Sequence, residues 1–455
     1  MVKYEWNEKH CKILTEFLHA LNKNSIRYFI LRNYERLPEN NESKDVDIII
    51  EPGKYKETHN ILLKIYKSHF LTNYYDVKFE KAHCCYAMNV DENFYIHIDL
   101  IEGYANKGFE IFSFNELYEN TLDYKFFKVL NPSYDAAMLL LYKVIGVGEL
   151  KECYKDKILN IYQKNEDHFN NILYFVFDNK LASGISNHIK QNDFDWIVKK
   201  HRRLSKSSKN KAFLRNPLKT ICNILCFLSE KFYRIVVCPK KYRKIIAVEA
   251  PDGTGKTTFI NLLTEVLAEC FMTDITKMHV YHFRPTLFPN LGELGEKAGV
   301  MEQDKDFTNP HRGKKTTAIS SLVRISYYSF DYIIGGLVKI RRDVQFDKFT
   351  IFDRYSYDFL VDPLRSKINL PYSVRLFFCK LTPKPALTFV LNADKNVIYC
   401  RKQELTLEEI ERQLAEFKRL EHVANGYHEL DANRTPNEIV SEAVKIIVDR
   451  FTKKL

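Results

Sequence analysis

One stretch constrains this chain more than any other: Lys244-Ile-Ile-Ala-Val-Glu-Ala-Pro-Asp-Gly-Thr-Gly-Lys-Thr-Thr258. An apolar, strand-like run enters a loop carrying two glycines and leaves it as a helix. Backbone N–H groups of such a loop, with the helix N-terminus behind them, form a concave site for anions. Gly253 and Gly255 allow the backbone to approach a phosphate closely. Lys256 is placed to reach β- and γ-phosphates, and the Thr257 hydroxyl to ligate Mg²⁺. Asp252, Thr254 and Thr258 complete the loop. The expectation is a site for ATP and Mg²⁺. Ala250 stands where the strict motif has its first glycine. The competing reading is a chance glycine turn before a helix, but strand, loop, Lys-Thr-Thr and helix all agree on phosphate binding.

The residues around the loop alternate strand and helix patterns, as a parallel sheet covered on both faces requires. Strands are predicted at Ile245–Glu249, His279–Phe283, Phe349–Phe352, Leu387–Leu391 and Tyr427–Leu430. Helices are predicted at 256–270, 316–341, 395–402, 406–424 and 436–453. The fold class is therefore α/β: a three-layer sandwich on a five-stranded parallel sheet.

Glu249-Ala-Pro-Asp-Gly-Thr-Gly-Lys-Thr-Thr258 resembles the loop of the thymidylate kinase family of P-loop kinases. Phe352-Asp-Arg-Tyr355 is similar to that family's Asp-Arg-Tyr, and Arg401-Lys402-Gln403-Glu404-Leu405 falls where the family has a basic lid. The resemblance covers about residues 244–455 and implies ATP-dependent phosphoryl transfer to a small acceptor. The chemistry agrees, because phosphoryl transfer needs a metal and cations around two in-line oxygens rather than covalent help. Asp353, at a strand's C-terminal end, suits Mg²⁺ organisation. Arg354 is expected to grip an anion on the acceptor. The loop supplies Thr254 rather than an arginine, so Arg401 and Lys402 are the candidates for charge on the transferring group. The competing readings are a solvated ion pair for Asp353 and Arg354 and a solvated helix end for Arg401 and Lys402.

The acceptor region departs from true thymidylate kinases. Arg324-Ile-Ser-Tyr-Tyr-Ser-Phe-Asp-Tyr332 occupies the helix that reads thymine in that family, and Arg284-Pro285 stands for its Glu-Pro. The tyrosines and aspartates here resemble a divergent thymidylate-kinase-like group associated with bacterial surface-polysaccharide loci. Arg284, Arg324, Tyr328, Asp331 and Tyr355 join Asp252 and Arg354 as candidate acceptor contacts. The acceptor is a nucleoside monophosphate such as dTMP or a sugar-type metabolite. Tyrosines at helical spacing are equally well explained as core.

The first part of the chain reads as α+β, with helices at 6–24 and 54–67 and strands at 26–31, 45–50, 79–90 and 94–100. From 133 to about 189 the pattern is helical. Asp45 and Asp47 share one face of a strand, and His97 and Asp99 share one face of another. Three carboxylates on adjacent strands resemble the polymerase-β-like nucleotidyltransferase superfamily, over about residues 10–150. That resemblance implies Mg²⁺ held by Asp45, Asp47 and Asp99. Its Gly-Ser turn is missing, since residues 1–52 hold no glycine, and Arg32 lies in that region instead. An inactive or substrate-binding domain is the alternative.

The expected organisation is a nucleotidyltransferase-like domain (1–130), a helical extension (131–198), a basic amphipathic linker (199–243) and the kinase-like domain (244–455). Charge is concentrated in the linker. Residues 199–244 hold fifteen Lys and Arg and one acid, Glu230, a net +14 where the whole chain carries +11. The remainder is close to neutral, which argues against a general nucleic-acid surface. Ile221, Ile224, Leu225, Leu228, Phe232 and Ile235 recur at helical spacing inside it, suggesting peripheral contact with an anionic membrane or, equally, a linker packed on the kinase domain. No stretch has the length and apolarity of a spanning helix and no signal peptide is visible, so a cytoplasmic location is expected. Ten scattered cysteines without a CxxC pair predict neither a disulfide framework nor a zinc site. The rival to an enzyme is a nucleotide-dependent binding or scaffold module.

Overall fold

The computed structural model describes residues 5–41, 43–237, 244–289, 317–341 and 349–455. The chain forms two compact units: Met1–Lys231 together with Thr452–Leu455, and Phe232–Phe451. The sequence places its last boundary at 243/244; the division between the units falls earlier, at the end of the helix Pro217–Phe232.

The N-terminal unit is built on an eight-stranded mixed sheet. Its strands are β1 (Tyr28–Ile30), β2 (Val46–Ile50), β3 (Asn73–Phe79), β4 (Ala82–Asn89) and β5 (Phe94–Glu102), with a small separate hairpin of β6 (Tyr104–Asn106) and β7 (Phe109–Phe112), then β8 (Thr121–Tyr124) and β9 (Phe127–Leu130). Side chains alternate across the sheet, as strand geometry demands. Tyr28, Ile30, Ile48 and Ile50 enter one core with the helices Glu8–Lys23 and Tyr55–Ser68. Phe29, Leu31 and Ile49 enter the opposite core, built with the helical segment that starts at Pro132. The expected strand at 79–90 is a hairpin beginning at Asn73, whose turn places Glu80 at φ +56°. Its first arm pairs with a strand from the far end of the chain, Lys453–Lys454, so that the sheet runs from that strand through β3, β4, β5, β2, β1 and β9 to β8.

The C-terminal unit carries β10 (Ile245–Glu249), β11 (His279–His282), β12 (Thr350–Asp353), β13 (Leu387–Asn392) and β14 (Tyr427–Asp431), while Lys453–Lys454, or β15, belongs to the sheet of the N-terminal unit. All five are parallel, in the order β11-β12-β10-β13-β14. β10 is buried at every position, as a central strand covered on both faces must be. Helices Lys256–Cys270, Lys395–Arg401, Leu407–Arg419 and Pro436–Phe451 correspond to the expected ones, except that the last stops at Phe451 and Lys453, expected as helix, is strand. The helix expected at 316–341 runs Ala318–Gly335 and continues as a π-helical turn; residue 316 lies outside the described residues. Two shorter helices, Asp358–Val361 and Tyr372–Leu381, have no counterpart in the sequence reading. No described helix is long and apolar enough to cross a membrane. The described cysteines are free thiols.

Candidate active site

β10 ends at Glu249, and the loop after it returns as the helix that opens on Lys256. Gly253 and Gly255 adopt left-handed backbone, with φ +91° and +97°. The Thr254 hydroxyl donates to Pro251 O at 2.8 Å, bracing the turn from inside. β12 lies beside β10 with Val248 opposite Asp353, so the strand end carrying Asp353 emerges next to the loop. Lys256 Nζ meets Asp353 Oδ1, and His282 Nδ1 lies 3.0 Å from Asp353 Oδ2. Burial alone would raise Asp353; His282 and Lys256 more than offset it and bring its carboxyl down to about 2. Thr257 and Thr258 are exposed on the first turn of the helix.

Arg354 is turned the other way. It is 2% exposed and takes left-handed backbone at φ +71°, uncommon for a residue with a Cβ. Nη2 donates to Asp252 at 2.7 Å, and Nη1 lies 3.3 Å from Asp358. Arg365 Nη1 binds the second oxygen of Asp252 at 2.6 Å. Burial opposes ionisation of Asp252, but the two guanidiniums hold it well below the usual carboxylate range. Behind this cluster Glu249 is fully buried. Its Oε1 accepts from Tyr355 N at 2.7 Å, while Oε2 has no partner. Burial, then the neighbouring Asp358 carboxylate, push Glu249 well above its ordinary value.

The predicted lid residues lie against the loop. Arg401 Nη1 is 3.4 Å from Thr254 O, and Lys402 pairs with Glu404 at 3.0 Å. A Cβ on Gly253 would stand 3.0 Å from Lys402 Cβ and 3.1 Å from Ile398 O, so the glycine is what lets this helix end approach.

The candidate acceptor residues separate. Arg284 and Asp331 hold each other at 2.6 Å, with side chains 4% and 0% exposed, and Asp331 also accepts from Leu287 N and Phe288 N. That pair fixes the turn after β11. Tyr355 is a buried core residue whose ring packs on Tyr332. Tyr328 is half-buried, beneath the Arg284 guanidinium and edge-on to Phe283. Arg324 keeps a buried Nε without a hydrogen-bond partner. Loop, Asp353 and Arg401 are therefore together, while Arg284 and Asp331 are committed to one another.

Sequence reasoning missed His282, Arg365 and Glu249. Glu249 had a visible signal, an acid closing a wholly apolar strand. The other two pair with residues 71 and 113 positions away and leave no local pattern.

In the N-terminal unit, parallel pairing of β2 with β5 sets Asp47 opposite Asp99. Ligand atoms of Asp45, Asp47 and Asp99 lie within 4.8 Å of one another. Arg32 Nε donates to Asp47 at 2.5 Å, and His97 Nε2 is 2.7 Å from Asp99. Burial raises Asp47, and the Asp45 and Asp99 carboxylates add to it against the pull of Arg32, leaving it at about 6. Three converging carboxylates are the hard oxygen donors that Mg²⁺ takes. Cys84 and His97 also gather around Asp99, within the same 4.8 Å. In the C-terminal unit, Asp353 and Thr257 offer oxygen donors beside the glycine loop.

The sequence matches no protein-family model and no curated protein. Among solved structures the chain is similar to the thymidylate kinase from Ehrlichia chaffeensis. The two are 19% identical over 45% of this chain and 97% of that one, with a TM-score of 0.29. At that score the likeness bears on neither the acceptor nor the chemistry.

Proposed function

We propose that the C-terminal unit is an ATP- and Mg²⁺-dependent kinase that moves the γ-phosphoryl of ATP to a small acceptor. The observation that supports this most is the gathering of the glycine loop, Lys256, Asp353 and Arg401 at the carboxyl ends of parallel strands, where α/β sheets bind ligands. The loop N–H groups and Lys256 bind the phosphates. Asp353 and Thr257 would hold the metal, which would supply charge that neutralises the phosphates. In the described structure Lys256 rests on Asp353, so each occupies the other until nucleotide and metal separate them. Arg401 and Lys402, on the lid, meet charge that develops as the phosphoryl leaves ADP for the acceptor oxygen. Arg354 acts through Asp252, holding the loop from behind.

The acceptor is a nucleoside monophosphate such as dTMP, or a sugar-type metabolite, taken beside Arg324 and Tyr328. A phosphoryl-acceptor panel with ATP and Mg²⁺ tests this. Turnover should require an acceptor and vanish in Lys256→Ala with the fold intact. A Lys256→Ala protein of undiminished turnover would remove the reading.

A second reading is favoured by Arg354, whose terminal nitrogens are both taken by Asp252 and Asp358 and so offer the acceptor no clamp. On that reading the unit is a nucleotide-dependent binding module. ATP binding without acceptor-dependent turnover across the panel would select it. For the N-terminal unit, we propose that Asp45, Asp47 and Asp99 hold divalent metal for nucleotidyl transfer. NTP-dependent labelling of an acceptor, lost in Asp47→Ala, tests it.

A further inference from the structure

The helix Pro217–Phe232 is packed inside out. Leu218, Ile221, Leu225, Leu228 and Phe232 follow at intervals of three and four and form one stripe along a single face. An ordinary surface helix buries that stripe. Here Leu218 is 80% exposed, Leu225 60% and Phe232 63%. The opposite, polar face is the one held by the N-terminal unit. Thr220 is buried, Lys219 pairs with Glu110 at 2.8 Å, and Glu230 pairs with Lys78 at 2.9 Å while accepting from Glu80 N at 3.0 Å. Gly108 lies so close that a Cβ there would come within 2.7 Å of the Ile224 backbone. These contacts fix the helix's rotation and turn its apolar side outward.

We propose that this stripe is a docking surface for an anionic lipid bilayer. The charge around it selects the occupant. Residues 199–231 carry ten Lys and Arg and one acid, and Arg202, Arg203, Lys206 and Lys231 are exposed beside the stripe or on the helix before it. A second copy of the chain would bring an equal excess of positive charge against the first. A bilayer of acidic lipids offers hydrocarbon for Leu, Ile and Phe, and phosphates for Lys and Arg. Sixteen helical residues span about 24 Å, which suits a helix lying in the interface plane.

The test uses the full chain and needs no activity. It is sedimented with vesicles of phosphatidylcholine alone, and with vesicles of equal parts phosphatidylcholine and phosphatidylglycerol. Binding to the anionic vesicles should exceed binding to the neutral ones by about tenfold at low salt and fall as salt rises. Leu225→Gln with Leu228→Gln, both solvent-facing, should lower it by about tenfold with the circular dichroism unchanged. Absence of sedimentation with anionic vesicles at low ionic strength would overturn the proposal. So would sedimentation that the double substitution leaves untouched. A dimer seen by sedimentation equilibrium, dissolved by the same substitutions and indifferent to vesicles, would assign the stripe to a second copy instead.

Discussion

Arg284 and Asp331 test how a buried charge pair behaves when half of it is removed. Asp331 balances a guanidinium that is almost wholly out of solvent and caps two backbone N–H groups besides. Asp331→Asn should therefore destabilise the C-terminal unit by about 3–5 kcal/mol, because an unpaired buried charge remains. Urea unfolding followed by circular dichroism measures it. Unchanged stability with weakened acceptor binding would instead make the pair a recognition element. In the N-terminal unit His10 supplies a pH dependence. Its Nε2 lies 2.9 Å from Tyr95 O, and Nδ1 lies 3.2 Å from Asn7 N and 2.8 Å from Asn7 Oδ1. Burial, with Lys9 nearby, lowers His10 to about 4. Between that value and the unfolded value near 6.5 the folded state binds fewer protons than the unfolded one. Stability should then fall as pH drops from 6.5 to 4, by up to about 3 kcal/mol. Gln at the same helix position preserves the capping pattern, so His10→Gln should flatten this dependence. Both tryptophans, Trp6 and Trp196, belong to the N-terminal unit, so their fluorescence reports its unfolding.

At the scale of elements, the glycine loop and the helix Lys395–Arg401 meet at one glycine. Both loop glycines are left-handed, and a Cβ at either costs about 1–2 kcal/mol of backbone strain. At Gly255 nothing lies within 4 Å of the added carbon, so Gly255→Ala should weaken ATP binding by about tenfold and do little else. Gly253→Ala also pushes on Lys402 and Ile398, so it should displace the lid and lower turnover beyond its effect on binding. Calorimetry with ATP and steady-state rates separate the two. Equal losses in binding and turnover for both variants would dissociate the lid from the loop. The same contrast explains what the sequence revealed. Strands such as Ile245–Glu249 were legible because a covered parallel strand must be continuously apolar. The loop was legible because its residues are contiguous. Arg365 and His282 were not, because an ion pair closed across the sheet leaves no trace near either partner. Arg284 and Asp331 were noticed as charges, but not as each other's partner, for that reason. Asp358–Val361 is too short to show a helical period. Lys453–Lys454 has no hydrophobic pattern, since an edge strand of two residues pairs through its backbone.

At the scale of the whole molecule, the chain leaves its first unit near residue 231 and returns to it at Thr452. Residues 232–451 contain all five strands of the parallel sheet, the glycine loop, Asp353 and Arg401. A fragment of those residues should fold and bind ATP with the affinity of the full chain, as calorimetry would show. Residues 1–231 are in a different position, because they lack the strand that closes their sheet. Lys453 and Lys454 pair antiparallel with Tyr74 and Asn73. Leu455 N donates to Thr72 O at 3.0 Å, Asn73 Nδ2 donates to Thr452 Oγ1 at 2.9 Å, and Leu455 packs on the core. Without them β3 becomes an open edge, where unpaired backbone groups invite association. Two or three hydrogen bonds of this kind are worth about 2 kcal/mol together. The 1–231 fragment should therefore unfold at lower urea than the N-terminal unit of the full chain, by tryptophan fluorescence, and self-associate at high concentration. Appending residues 452–455 through a flexible linker should restore most of the difference. A bare fragment as stable as the full-length unit would show that the returning strand contributes nothing to the sheet it joins.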